Sequence, residues 1–227
     1  MKDKPFSIQG SSAHKCKYLI FDEADKLIDK DNIQLSIDLK KCFYRDVQTL
    51  FFTATFGEKY QNNLDKTGLD IVKISTSRIV STPDTIKHYY VVCMHRDKNE
   101  TVRKVLKASN AAKAIIFANK RYDIDEITQK LKYHNYKVEA LHAEGNKFRN
   151  KNIVKDFMDG KLQYVVASDY AARGMHFDDV DVIINISLPE ESTEYVHRAG
   201  RCGRNGKNGM CISIITDGET NKIKKFQ

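Results

Sequence analysis

Lys113-Ala114-Ile115-Ile116-Phe117, the segment 122–133, and Val138-Glu139-Ala140-Leu141 together decide the fold. The first and last are short apolar runs of strand type. Between them, Ile124, Ile127 and Leu131 fall on one face of a helix. Two strands joined through a helix run parallel, because a tight hairpin is excluded by the crossover. The same alternation extends outward: a strand at 88–93 and a helix at 99–108 precede it. A helix at 148–158 carrying Ile153, Val154 and Phe157 follows, then strands at 164–167 and 182–186, a helix at 193–199 and a strand at 211–215. Continuous apolar strands separated by helices predict an α/β fold with a parallel sheet covered on both faces. In such sheets ligands sit beyond the carboxyl ends of the strands.

Upstream, strands are expected at 17–21, 49–52 and 71–74, with a helix at 58–66. The polar run Ser75-Thr76-Ser77 and the turn-prone Ser81-Thr82-Pro83-Asp84 mark a linker at 76–83. Residues 84–227 read as a complete α/β domain. Residues 1–75 read as part of another, since three strands and little helix cannot cover both faces of a parallel sheet. With 41% hydrophobic and 30% charged residues in 227, the chain is neither disordered nor coiled coil. Lys+Arg outnumber Asp+Glu by 38 to 30, a net charge of +8 that favours a polyanionic partner. No apolar run approaches the ~20 residues of a spanning helix, so no membrane partner is expected. The start, Met1-Lys2-Asp3-Lys4-Pro5, leads into no signal-peptide core. Five cysteines without a Cys-x-x-Cys pair read as thiols of a reducing, intracellular compartment: cytoplasm, nucleus or mitochondrion.

Four motifs carry chemistry. Phe21-Asp22-Glu23-Ala24-Asp25 ends a strand with adjacent carboxylates. Asp22 suits the water shell of Mg²⁺, and Glu23 could orient and deprotonate an attacking water; an acidic helix N-terminus explains the same residues. Thr53-Ala54-Thr55 follows the second strand and reads as a hydroxyl relay or a helix N-cap. Ser168-Asp169-Tyr170-Ala171-Ala172-Arg173-Gly174 follows another strand; Ser168 suits a nucleic-acid phosphate or an N-cap. Strongest is His197-Arg198-Ala199-Gly200-Arg201-Cys202-Gly203-Arg204-Asn205-Gly206, with Arg and Gly each recurring every third residue. Glycines would let the backbone approach a facing domain while the guanidiniums project between them, matched to phosphate oxygens.

In this order and spacing the motifs resemble those of the DEAD-box family of ATP-dependent RNA helicases, from about residue 17 to 215. Ile115-Ile116-Phe117-Ala118-Asn119 and Leu141-His142 fit further family motifs. The resemblance implies a RecA-like C-terminal helicase domain at 84–227, preceded by the last part of a first RecA-like domain at 1–75. It implies ATP and Mg²⁺ as cofactors and RNA as partner. Asp22 and Glu23 would serve the metal and the hydrolytic water. Asp25 would bond to Thr53 or Thr55 and to His197, linking hydrolysis to domain closure. Arg201 and Arg204 would reach the γ-phosphate, Gly174 would lie at the nucleotide, and Ser168 and Arg149 would grip RNA.

The sequence also departs from the family. It holds no G-x-x-x-x-G-K-[ST] loop and no adenine-reading Gln segment, so it is expected to be a C-terminal fragment that does not hydrolyse ATP alone. His176 stands where the family has the Asp of Arg-Gly-x-Asp, and Lys147-Phe148-Arg149-Asn150 replaces Gln-x-x-Arg. These departures support a competing reading as a non-enzymatic RNA-binding or regulatory module. A DNA-directed helicase of the same superfamily is a third.

Overall fold

The structure, a computed structural model, describes residues 15–29, 32–43, 46–53, 58–65, 71–74, 82–204 and 206–226. Two compact units divide the chain, Met1–Val80 and Ser81–Gln227.

In the first unit, β1 (Tyr18–Phe21) pairs in parallel with β2 (Gln48–Phe51), Tyr18 opposite Gln48 and Phe21 opposite Phe51. Side chains alternate along β1. Leu19 and Phe21 turn inward, where Phe21 stacks on Phe51 with ring centroids 5.0 Å apart. Helices α1 (Ala24–Leu27), α2 (Ile33–Lys41) and α3 (Glu58–Asp65) surround this pair. Ala24, Ile28, Tyr60 and Leu64 close the small core. Tyr18 and Ile20, on the opposite face of β1, are more than half exposed. The strand expected at 71–74 is not formed: these residues take no regular structure and Val72 and Ile74 lie open to solvent. An apolar run becomes a strand only when a neighbour supplies its ladder, and none of the described residues pairs with this one.

The second unit holds a six-stranded, all-parallel sheet: β3 (Ile86–Val92), β4 (Ala114–Phe117), β5 (Val138–Leu141), β6 (Tyr164–Ala167), β7 (Val182–Asn185) and β8 (Gly209–Ile215), ordered β3-β8-β7-β4-β6-β5. One face is covered by α4 (Lys98–Ser109) and α5 (Arg121–Tyr133) through Val102, Leu106, Ile124, Ile127 and Leu131. The other is covered by α6 (Lys147–Met158), α7 (Asp169–Ala172) and α8 (Ser192–Ala199), with Ile153, Phe157, Ala171, Tyr195 and Ala199 inward. Every residue of β4, β6 and β7 is buried, which is why β4 and β6 read as unbroken apolar runs and β7 as one up to its last residue, Asn185. A short helix, α9 (Thr220–Ile223), closes the described chain. Chain connections diverge between neighbouring β4 and β7: α5 leaves along one face and α8 along the other. That is the switch point where open α/β sheets hold ligands.

The glycines after α8 act within this unit. Gly203 has φ +66°, and a Cβ there would stand 2.7 Å from Ile86 Cγ1. A Cβ on Gly209 would meet Gly203 N at 2.6 Å. The close approach that the Gly spacing suggested toward a facing domain is therefore, at Gly203, an approach to this unit's own edge strand β3.

Candidate functional site

In the first unit, β1 delivers Asp22, Glu23 and Asp25 to its carboxyl end. Glu23 takes the left-handed conformation, φ 49° and ψ 45°, which costs a non-glycine residue roughly 1–2 kcal/mol. The turn is held on both sides: Asp22 Oδ1 accepts the Glu23 N–H at 2.9 Å, and the Ala24 N–H donates to Phe52 O at 2.9 Å. The Glu23 side chain makes no capping bond and α1 is only four residues long, so an ordinary acidic N-cap does not account for it. Asp22 and Glu23 both face solvent. Asp25 Oδ1 accepts the Thr53 hydroxyl at 3.0 Å, joining the ends of β1 and β2. Burial, and secondarily the charge of Asp25, push the Tyr60 phenol up to about 12. Thr55 lies outside the described residues.

In the second unit the switch point is already filled. Arg198, 1% exposed, extends from α8 beneath the ends of β4 and β7. Its Nε and Nη2 form a fork on Asp169, at 2.7 and 2.5 Å. Nη1 donates to Asn185 Oδ1 at 3.1 Å and Ser187 O at 2.7 Å, and Nη2 also to Asn119 Oδ1 at 2.9 Å. All five guanidinium N–H groups are thus used, and the Phe117 ring lies 5.0 Å from Cζ. The expectation that this arginine projects toward phosphate is corrected: it is an internal strut. Helix α8 ends at Ala199, so Arg198 is on the helix while Arg201 and Arg204 lie beyond it and follow a different path.

Arg201, half-buried, donates from Nη1 to Met175 O at 3.0 Å and lies 5.8 Å over the Phe177 ring. It is thereby brought beside Gly174, whose φ of +66° turns the chain after α7. Arg204 is exposed and donates from Nε to Gly200 O at 2.9 Å. His197 is half-buried on α8. Ser168 caps α7, accepting the Ala171 N–H at 3.3 Å, which leaves its own O–H to donate. Arg149, exposed on α6, stands 3.6 Å from Glu139. His176 points outward and pairs with Asp178 at 2.9 Å. Among the described residues no three His, Cys, Asp or Glu side chains group to hold a metal ion, and no helix is long and apolar enough to cross a membrane.

Asn119 and Asp169 fall within motifs read from the sequence, but neither they nor Asn185 were given a role there. Their signal was a polar residue at or just past the end of an apolar strand. His88, on β3, was also missed. Its Nε2 lies 2.7 Å from Thr82 Oγ1 and its Nδ1 2.7 Å from the Tyr195 hydroxyl. It fastens the stretch before β3 to α8. Burial lowers its pKa from 6.5. The unfolded chain then binds the proton more readily than the folded one, so this stability is complete above about pH 6.5 and is lost as pH falls below it. Urea midpoints at pH 7.5 and 5.5 are expected to fall more for the parent than for His88→Gln; equal falls would exclude His88 as the cause.

A family model described as "DEAD/DEAH box helicase" matches residues 4–63, and one described as "Helicase conserved C-terminal domain" matches 97–206. The DEAD-box ATP-dependent RNA helicase CshC of Bacillus cereus is 34% identical over 213 residues, 94% of this chain and 54% of its own length. The probable ATP-dependent RNA helicase YfmL of Bacillus subtilis is 31% identical, over 94% of this chain and 56% of its own. Among solved structures, S. cerevisiae Dbp5 bound to RNA and ADP BeF3 superposes with a TM-score of 0.85 at 25% identity, covering 94% of this chain and 57% of that one. The chain spans about half the length of the curated relatives it matches.

Proposed function

Because the chain belongs to the DEAD-box family of ATP-dependent RNA helicases, we propose that it supplies the hydrolytic and coupling residues of an RNA-stimulated ATPase that opens short RNA duplexes or remodels RNA–protein assemblies. The observation that carries the reading is the turn after β1: a strained Glu23 held between bonded neighbours, with Asp25 tied to Thr53. Strain maintained at an exposed carboxylate is a mark of a working site.

In this reading the Glu23 carboxylate orients a water and accepts its proton as the oxygen attacks the γ-phosphorus and the bond to ADP breaks. Asp22 and Glu23 would hold Mg²⁺, whose preference for one or two carboxylates with water and phosphate oxygens fits this hard, exposed donor pair. The bound cation would neutralise phosphate charge. Arg201 and Arg204 present guanidiniums to the γ-phosphate, with Gly174 giving the nucleotide close access to backbone. Ser168 donates its spare O–H to an RNA phosphate, and Arg149 exchanges Glu139 for another. Asp25, Thr53, Thr55 and His197 couple hydrolysis to RNA release. Residues 1–75 and 84–227 belong in this scheme to two RecA-like domains joined at 76–83. The thiols suit a reducing interior: burial pushes Cys202 up to about 12 and Cys211 up to about 11, leaving both inert.

The test is phosphate release by a protein that carries this chain together with a glycine–lysine phosphate loop. RNA is expected to stimulate release, and Glu23→Gln to remove about 99% or more of it, as loss of a general base does. Release that ignores RNA would overturn the reading. The 227 residues themselves contain no such loop, and this favours a second reading, an RNA-binding module without hydrolysis. RNA binding indifferent to ATP in the longer protein would support that alternative.

A further inference from the structure

Strand β3 forms one edge of the six-stranded sheet and, among the described residues, pairs with β8 alone. Its ladder fixes which way its backbone points. Thr85 O accepts the Gly209 N–H at 2.9 Å, and the Cys93 N–H donates to Ile215 O at 2.9 Å. A parallel strand bonds to one neighbour through every second residue, so the odd-numbered residues from 85 to 93 face β8. His88, Tyr90 and Val92 therefore turn their N–H and C=O groups away from the sheet.

The side chains of this edge are open on both faces. Tyr89 is 47% exposed, Tyr90 40%, Val91 37% and Val92 47%, and Met94 just beyond is 62% exposed. No other strand of this unit shows such a run. The opposite edge, β5, has four residues and carries Glu139, which is paired with Lys132 and Arg149. Short length and charge are the usual protections of an edge against pairing. Strand β3 has seven residues, and from Tyr89 to Met94 there is neither a charge nor a proline.

We infer that β3 pairs antiparallel with β3 of a second copy of this chain, continuing one sheet into the other. The strand is complementary to itself. A two-fold axis through Tyr90 sets His88 opposite the second copy's Val92 and Tyr90 opposite its own equivalent. Each of these pairs exchanges two main-chain hydrogen bonds, and together they use every outward N–H of the edge. On the other face Tyr89 meets the second copy's Val91, an aromatic–β-branched pair of the kind that stabilises neighbouring strands. Lys87 falls opposite the second copy's Cys93, so no like charges meet. Half-exposed Tyr, Val and Met side chains on both copies, with the two strands themselves, bury on the order of 1,000 Å² in all, the lower end for a specific interface. The dimer is accordingly expected to dissociate in the micromolar range. This inference is independent of RNA binding and of ATP hydrolysis.

The test is sedimentation of the 227-residue chain, freed of nucleic acid, across the micromolar range, where the parent should pass from monomer to dimer. Tyr90→Pro removes an outward N–H and leaves the β8 ladder intact, since proline is tolerated on the open side of an edge strand. It is expected to abolish the dimer while the urea midpoint stays near the parent's. Should that variant unfold, Tyr90→Lys and Tyr90→Glu decide instead. Each alone places like charges across the axis and is expected to weaken the dimer by about tenfold or more, and an equimolar mixture of the two to restore it. A parent that stays monomeric, a dimer indifferent to these substitutions, or a mixture that remains monomeric would each overturn the pairing.

Discussion

Arg198→Met is expected to lower the unfolding free energy by about 3–5 kcal/mol, the cost of breaking a buried ion pair by removing one partner. Domain stabilities are about 5–15 kcal/mol, so the loss is a large fraction of the total. Met fills most of the volume but leaves Asp169, 26% exposed, without its fork, and strands the Asn185 and Asn119 oxygens and the Ser187 carbonyl near the switch point. Arg198→Lys keeps the charge but has three donors on a flexible stem, and cannot span Asp169, Asn185 and Asn119 together. It is expected to recover only part of the loss. Urea unfolding of the 227-residue chain measures both. A midpoint for Arg198→Met equal to the parent's would mean that the guanidinium is solvated and the internal strut does not exist.

This arginine also shows where sequence and structure part. Arg198, Arg201 and Arg204 are equally spaced in sequence, yet α8 stops at Ala199, so equal spacing does not carry over into space. What was legible was burial. The β4–α5–β5 unit could be read because a strand buried on both faces must be apolar throughout, and a helix covering it must be apolar every three to four residues. Helix α2 was hidden for the converse reason. Its Ile33, Leu35, Ile37 and Leu39 alternate like a strand, and none of its residues is buried, so no core imposed a helical period. The Asp25–Thr53 bond joins residues 28 apart and is invisible to local spacing. It follows from the parallel register of β1 and β2, which brings their two ends together.

In an ATP-hydrolysing protein that carries this chain, Arg201→Ala is expected to lower kcat by about 10³ to 10⁵, the range of arginine fingers in phosphoryl transfer. KM for ATP should change far less. The asymmetry follows from the kind of bond that Arg201 would exchange. Among its contacts, one N–H is engaged by the neutral Met175 carbonyl, a bond with a net value of about 0.5–1.5 kcal/mol, and the guanidinium lies over the Phe177 ring. A phosphate oxygen forms a bond about twice as strong as a neutral acceptor does, and its advantage grows as negative charge gathers on the transferring group. Exchange of carbonyl for phosphate is therefore most favourable in the transition state, which places the effect in kcat. Arg201→Lys should restore little, since a point charge cannot bridge two phosphate oxygens. Arg204→Ala should cost less, because that side chain is exposed and water competes for its donors. Steady-state phosphate release at saturating RNA separates these outcomes. A kcat within threefold of the parent, or a loss confined to KM, would show that Arg201 stays on Met175 throughout turnover and serves the fold alone.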